Sequence, residues 1–501
     1  MYDFTSHYVD GAWTAAGPER ITVFDPATEE PAGEVPAGSA RDAEAAVAAA
    51  ARAFPGWAAL PYAERAGLLE RLTGLLAARR EQLAAAVVAE VGSPASFAAA
   101  VQVGLPLATF ADQPKLLREC DWRQEVGHSA VVREAAGVVV AITPWNYPLH
   151  QIAAKVAPAL AAGCTLVLKP SEVAPLNAFL LAEAVAEAGF PPGVFNLVCG
   201  TGAEVGEPLV AHPAVDVVSF TGSTAAGRRV GALAAETVKQ VHLELGGKSP
   251  SVVLPDADLE AAVADCVAKA FVNTGQTCTA LSRLIVPRGR LAEAEEIAAA
   301  AVANHPLVDP AAETAGVRPT AFADRLGHIG FTFALGPLVS AFQRERVTAL
   351  VRAGEREGAK LVAGGAERPD GFVRGHYVRP TVFSATEPGM TVVQEEIFGP
   401  VLCLQAYDGE DEAVALANGT RYGLCAAVWS ADTDRATAVA GRLRAGQVEV
   451  NGAGFNPYAP FGGYKQSGHG RELGRWGLEA YLQTKSLQLP RAVSGSPAPP
   501  G

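Results

Sequence analysis

The chain of 501 residues is 49 % hydrophobic and 19 % charged, with a formal net charge of -13, a composition that describes a globular protein and excludes a disordered or fibrous one. Such an acidic balance disfavours nucleic acid and anionic membranes as partners, and no run of about 18 apolar residues offers a membrane span. The length exceeds the roughly 250–300 residues at which a single hydrophobic core stops growing, so at least two domains are expected.

The N-terminal MYDFTSHYVDG lacks a basic stretch leading into an apolar core, which predicts an unexported protein. The seven cysteines (Cys120, Cys164, Cys199, Cys266, Cys278, Cys403, Cys425) are dispersed, odd in number and form no C-x-x-C pair. That pattern fits free thiols in a reducing cytoplasm. The nine histidines show no ligand spacing, so no protein-bound metal is expected.

Alanine-rich helical patterns cover 42–54, 62–80 and 81–91, with Pro55-Gly56 expected to close the first and Gly92-Ser93-Pro94 the last. WRQEVGHSAVVREAAG (122–137) and QTKSLQLP (483–490) read as short strands outside the main sheets, inclined to pair with each other or with a neighbouring subunit. Between them lie two α/β series. The first has apolar runs at VVVAI, TLVLK, VFNLV, VDVVSF and KQVHLEL, spaced for strands joined by crossover helices, which predicts a parallel, doubly wound sheet over about 136–246. The second has strands at 251–255, 283–287, 381–384, 400–407 and 424–430, and helices near 258–272, 290–303, 341–358 and 432–444. The closing AVSGSPAPPG has the composition of a disordered tail.

Several segments at the ends of these strands carry candidate chemistry. GTGAEVG (200–206) is one residue too long for the dinucleotide fingerprint and reads equally as a plain strand-to-helix turn. FTGSTAAG (220–227) opens a helix with small residues, where free backbone N–H groups can approach a phosphate. KPSE (169–172) offers Lys169 and Glu172 to sugar hydroxyls, or is only a solvated pair in a turn. TPWNYP (143–148) holds Asn146 in a stiff setting, as an aimed amide or a local Asx turn. Lys155 falls in an apolar helix where a cation needs a partner. Glu244 ends an apolar strand before Gly246-Gly247, where burial would raise its proton affinity and suit it to act as a base, or where it pairs with a lysine. Cys278 in GQTC is either a nucleophile or one more inert buried thiol.

Taken in order, TPWNYP, KPSE, FTGSTAAG, ELGGKSP, GQTC, EEIFGP (395–400) and PFGGYKQSGHGRELG (460–474) closely resemble the NAD(P)-dependent aldehyde dehydrogenase superfamily, over nearly the whole chain. The resemblance implies an α/β fold with a Rossmann-like cofactor domain (1–118 and 137–246), an α/β catalytic domain (247–466), a small β oligomerisation arm (119–136 and 480–492) and a disordered tail (493–501). It implies a homodimer or homotetramer. It further implies Cys278 as nucleophile, Glu244 as general base, Asn146 with the Cys278 backbone N–H as oxyanion hole, and Lys155 with Glu472 along a proton path. Lys169 and Glu172 would hold the adenosine ribose, Ser223 the pyrophosphate, and Glu396 and Phe398 the nicotinamide end. Thr143, Trp145, Ser171, Gly202, Phe220, Gly222 and Leu245 complete the implied cofactor set.

A carboxylate at Glu172 would repel a 2′-phosphate, which favours NAD over NADP. A coenzyme A-acylating activity is the alternative, and Glu244 speaks against it because such relatives generally lack that carboxylate. Tyr147, Phe455 and Tyr458 fall in segments that line the aldehyde tunnel in relatives, so an apolar aliphatic or aromatic aldehyde is expected. One departure stands out: AGVRPTAFADRLGHIGFTFA (315–334) separates DPAAET from LGPLVS, which adjoin in the family, and leaves the local fold and a subunit interface open.

Overall fold

A computed structural model of the chain describes residues 1–312 and 334–490, together with the backbone of 320–323 and 329–332. Its first sheet has the spatial order Gly468–His469, Gln240–Glu244, Val217–Thr221, Val138–Ile142, Thr165–Lys169, Phe195–Leu197, Ser6–Val9 and Ala12–Ala15. The strands from Gln240–Glu244 to Phe195–Leu197 run parallel. A parallel sheet needs cover on both faces, and the alternation along one strand shows how it is supplied. Val138, Val140 and Ile142 pack with Ala46, Val47 and Leu209 on one side, while Val139 and Ala141 pack with Ile152, Val156 and Leu160 on the other.

The chain winds from Val138–Ile142 outward through Thr165–Lys169 to Phe195–Leu197, then returns to lay Val217–Thr221 and Gln240–Glu244 on the opposite side. This reversal opens a crevice beyond the carboxyl ends of Val138–Ile142 and Val217–Thr221, the place where doubly wound sheets take ligands. Thr143 and Gly222 are the residues that follow those two ends.

The helix Ala40–Ala59 starts with a capping box between Ser39 and Asp42 and runs straight through Pro55, past the break expected at Pro55-Gly56. A proline late in a helix removes one backbone bond. Continuing for another turn buries Trp57, whose ring lies 5.7 Å from Phe190, and offsets that loss. Tyr62–Ala78 and Arg80–Val91 fall where expected, and the second ends on Gly92 at φ 74.

The second sheet runs Lys360–Ala363, Thr381–Ser384, Val401–Tyr407, Arg283–Pro287, Pro250–Val253, Cys425–Trp429 and Gln447–Val450. The expected strands form its centre. Its two edges and the helix Glu410–Asn418 were not legible: the edge strands are half exposed and only 4 residues long, too short for a pattern to stand out. The two ribbons do pair: Leu482–Gln488 lies antiparallel to Ser129–Ala135, from Leu482 opposite Ala135 to Gln488 opposite Ser129, with Arg123–Val126 on the far side.

The tail 493–501 and most of the insertion 315–334 lie outside the described residues. Within the insertion, 320–323 and 329–332 pair antiparallel. At its flanks Val308 donates to the Leu335 carbonyl (3.0 Å) and Leu335 to that of Pro306 (2.8 Å), so the chain leaves and returns at one point. One helical run, Ala95–Glu119, has the length and hydropathy of a membrane-crossing segment. One face of it packs against the core, with Phe97, Phe110 and Leu117 fully buried.

Candidate active site

Segments from both sheets converge on a cavity of about 510 Å³ lined by Trp145, Asn146, Gly222, Ser223, Glu244, Leu245, Cys278, Glu396 and Phe398. Cys278 reaches it from an unusual turn. After the helix Leu259–Phe271, Asn273, Thr274 and Gly275 all take left-handed backbone angles (φ 52, 55 and 71), which strain Asn and Thr. Hydrogen bonds hold them there: Thr274 Oγ1 donates to the Gly336 carbonyl (3.1 Å), Gln276 Nε2 to that of Asn273 (3.2 Å), and Val339 N–H to Gln276 Oε1 (2.9 Å). Only glycine fits at 275, where a Cβ would lie 2.1 Å from the Gly399 carbonyl carbon. The EEIFGP segment thus crosses directly over the thiol turn.

The Cys278 thiol is partly buried against Phe461, Leu424 and Leu473. Burial, then Glu396 and Glu244, push its pKa up to about 12, against the pull of its own backbone N–H. It therefore rests as a neutral thiol at neutral pH.

Glu244 ends its strand fully enclosed, and neither carboxylate oxygen has a partner among the described residues. Burial first and Glu472 second raise its pKa well above the ordinary value, with Lys155 and Arg471 opposing. Gly462 makes room for it, since a Cβ there would sit 2.7 Å from Oε1. Behind it, the buried Lys155 ammonium donates to Thr221 Oγ1 (2.7 Å) and to Glu472, which gives the cation in the apolar helix the partners it needs.

Asn146 is buried, and its Nδ2 donates one hydrogen to the Gln276 carbonyl (3.0 Å) while the residue faces the cavity. The neighbouring Tyr147 hydroxyl meets Thr277 Oγ1 at 2.8 Å. On the other wall, Trp145 stands edge-on to Phe398 at 5.4 Å. Glu396 Oε1 accepts from the Gly247 N–H (3.0 Å), and burial raises its pKa to about 7. Gly246 admits it, because a Cβ would lie 2.1 Å from Glu396 Oε2.

Ser223 caps the helix Thr224–Ala235, accepting from Ala226 N–H (3.2 Å). Phe220 lies in the core beneath Gly222, and Leu245 packs on Gly227. Thr143 Oγ1 is buried with no partner among the described residues.

The remaining cofactor candidates stand apart from the cavity. Lys169, at the end of its strand, donates to the Pro170 carbonyl (2.8 Å) and to Glu172 (3.2 Å), whose side chain is 38 % exposed. Ser171 Oγ accepts from Val173 N–H. Gly202 opens a π-helical turn capped by Thr201, with no protein atom near its Cβ position. Phe455 and Tyr458 are surface residues, but Phe455 meets Phe461 edge-on at 6.2 Å, and Phe461 packs against Cys278. An aromatic line thus runs from the surface to the thiol.

Sequence reasoning passed over Gln151, Phe342, Arg346, Arg421 and Tyr422, which also line the cavity. Arg346 donates to the Glu396 and Ile397 carbonyls and holds EEIFGP in place. Its only signal was a charge on the inward face of the helix Ala341–Arg356.

A neutral thiol, a carboxylate of raised proton affinity and a buried amide donor around one cavity are the equipment for adding sulfur to a carbonyl and later hydrolysing the adduct. They are set at the crevice of a doubly wound sheet, where such folds take ligands.

The model of the aldehyde dehydrogenase family matches residues 13–487. The chain is 46 % identical to 3-succinoylsemialdehyde-pyridine dehydrogenase from a Pseudomonas species, over 97 % of this chain and 99 % of the relative. Among solved structures it is similar to a cysteine-to-alanine variant of aldehyde dehydrogenase C from Pseudomonas syringae in complex with NAD+ and octanal (49 % identity, TM-score 0.92, covering 97 % of this chain and 96 % of that one). It is also similar to a Mycobacterium tuberculosis aldehyde dehydrogenase in complex with NAD+ (38 % identity, TM-score 0.92, covering 99 % and 100 %). The chain belongs to the aldehyde dehydrogenase family and is an NAD(P)-dependent aldehyde oxidoreductase.

Proposed function

We propose that this enzyme oxidises an apolar aliphatic or aromatic aldehyde to the carboxylic acid with NAD, through a covalent adduct on Cys278. The observation that carries the reading is the convergence of Cys278, Glu244 and Asn146 on one cavity with Gly222, Ser223, Glu396 and Phe398. Complexes of relatives with NAD+, one of them also with octanal, support the choice of cofactor and an apolar substrate. The aromatic line from Phe455 to Phe461 supports it too.

The residues fit the dinucleotide. Thr143 Oγ1 is a buried hydroxyl without a partner among the described residues, the N–H groups at the start of Thr224–Ala235 face the crevice, and the half-exposed Glu172 carboxylate suits a free 2′-hydroxyl and repels a 2′-phosphate. Thr143, Lys169, Ser171, Glu172, Gly202, Gly222 and Ser223 would hold the adenosine and phosphates, and Trp145, Leu245, Glu396 and Phe398 the nicotinamide. When bound, NAD accepts the hydride that leaves the aldehyde carbon.

A thiol of pKa about 12 needs a base before it can attack. Glu244 takes the proton from Cys278, the sulfur bonds to the carbonyl carbon, and the resulting alkoxide is met by the free hydrogen of Asn146 Nδ2 and the Cys278 N–H. Loss of hydride from that carbon leaves a thioester. Once that first proton has left it, Glu244 takes a proton from water, hydroxide adds to the thioester carbonyl, carbon–sulfur cleavage releases the acid, and the sulfur recovers its proton from Glu244. Lys155 and Glu472 pass the accumulated proton away from Glu244.

We further propose that the chain works as a homodimer or homotetramer in the cytoplasm. The exposed strand Leu482–Gln488 and the free state of all seven cysteines support this. Steady-state NADH formation over a series of aldehyde chain lengths, with NAD and NADP side by side, tests the central reading. No turnover with any aldehyde despite NAD binding would sink it, and sedimentation as a monomer would remove the assembly.

A further inference from the structure

We infer that Gln102 is a positioning residue that sets the oxyanion donor Asn146 against the thiol turn; this rests on the role given to Asn146 above. Residues Ala98–Gln102 form a π-helical turn, closed by Val103 N–H donating to the Ala98 carbonyl at 3.0 Å, within the long run Ala95–Glu119. Such π turns are rare and are frequently found at functional sites. Here one coincides with a polar side chain fully enclosed in protein: Gln102 is 0 % exposed.

The Gln102 amide donates to the Asn146 backbone carbonyl at 2.9 Å, to Ser93 Oγ at 3.2 Å and, at 3.5 Å, to Asn273 Oδ1. Asn273 Nδ2 donates to the same Asn146 carbonyl at 2.9 Å, and Ser93 Oγ donates to Asn273 Oδ1 at 3.3 Å. The Asn146 carbonyl is therefore clamped from two sides. One clamp comes from the helix 98–102, and the other from the first left-handed residue of the turn that ends in Cys278.

This geometry makes one unit of two segments that are far apart in sequence. Asn146 can turn its Nδ2 toward an alkoxide on Cys278 only if its backbone keeps a fixed place relative to that turn. The direct bond between Asn146 Nδ2 and the Gln276 carbonyl fixes only the side chain, and the backbone is held by Gln102 together with Asn273. Misplacing a reacting group by about 1 Å can cost up to 10²-fold in rate.

The test is a double-mutant cycle of Gln102→Met, which keeps volume and removes the donors, with Asn146→Ala, read by kcat, KM and NAD dissociation constant. Gln102→Met should lower kcat on the order of tenfold, leave NAD binding unchanged, and cost nothing further in the Asn146→Ala background. Unchanged kcat, or an equal loss in both backgrounds, overturns the inference. An Asn146→Ala enzyme with full kcat overturns the oxyanion assignment and the positioning role together, a result distinct from either. If Gln102→Met does not fold, Ser93→Ala replaces it: a smaller fall in kcat, absent without Asn146, supports the inference, and wild-type kcat overturns it.

Discussion

The turn that presents Cys278 and the turn that opens Thr224–Ala235 face each other across one cavity, and they are built on opposite plans. The thiol turn is strained and tied: of its three left-handed residues, Asn273 bonds to the Asn146 carbonyl and Thr274 to that of Gly336, and the EEIFGP chain lies on Gly275. The cofactor turn is relaxed. Ser223 merely caps its own helix, and Thr143 Oγ1 nearby has no partner among the described residues. On the roles proposed here, the thiol turn is positioned by the protein alone, whereas the turn at Ser223 leaves its exposed groups for the dinucleotide to engage. Substitutions on the first side should therefore act on kcat, and those on the second on the KM for cofactor.

The largest effect expected is from Cys278→Ala, which should abolish aldehyde oxidation in a steady-state assay while NAD binding by calorimetry stays intact; residual turnover would remove the thiol from the mechanism. Glu244→Gln should lower kcat about 10²–10⁴-fold, and no acyl-enzyme burst should appear in rapid-quench mass spectra because the thiol loses the base that activates it. Asn146→Ala should cost about 10²–10³-fold in kcat with little change in the KM for NAD.

The pH dependence sharpens the contrast further. Glu244 must be ionised to accept a proton, and its pKa is raised, so kcat should fall on acidification at a higher pH than an ordinary carboxylate would dictate. Lys155 lowers that pKa, so Lys155→Met should move the acidic limb of the kcat profile to higher pH; a shift the other way breaks the proposed coupling. On the cofactor side, Glu172→Gln should leave kcat alone and narrow the preference for NAD over NADP. Smallest of all, Ser223→Ala should remove a helix cap worth about 1 kcal/mol, seen as a modest fall in Tm with kcat unchanged.

Much of this was legible before any coordinates. The apolar runs from VVVAI to KQVHLEL announce the cofactor sheet because a strand buried on both faces must be apolar throughout. The motif residues fall at strand ends because that is where such a sheet leaves space. Pro55 misled because local rules count the lost hydrogen bond and do not see Trp57 gaining a pocket against Phe190. The edge strands Lys360–Ala363 and Gln447–Val450 left no trace because each is half exposed and only 4 residues long, too short for a pattern to stand out. Arg346 and Gln102 could not be singled out for a related reason: their bonds are to backbone carbonyls of Glu396, Ile397 and Asn146, and a carbonyl looks the same at every position.

By itself the sequence determined the kind of chemistry available, since a thiol, a carboxylate and an amide on ordered strand-end motifs follow from residue identity and short-range period. The tertiary structure decided how those groups behave. Only the fold encloses Glu244 with no hydrogen-bond partner among the described residues, pairs Lys155 with Glu472 behind it, and raises the Cys278 thiol to a pKa that demands a base. Proton affinity depends on desolvation and neighbouring charge, and both are set by contacts between residues hundreds of positions apart in the chain.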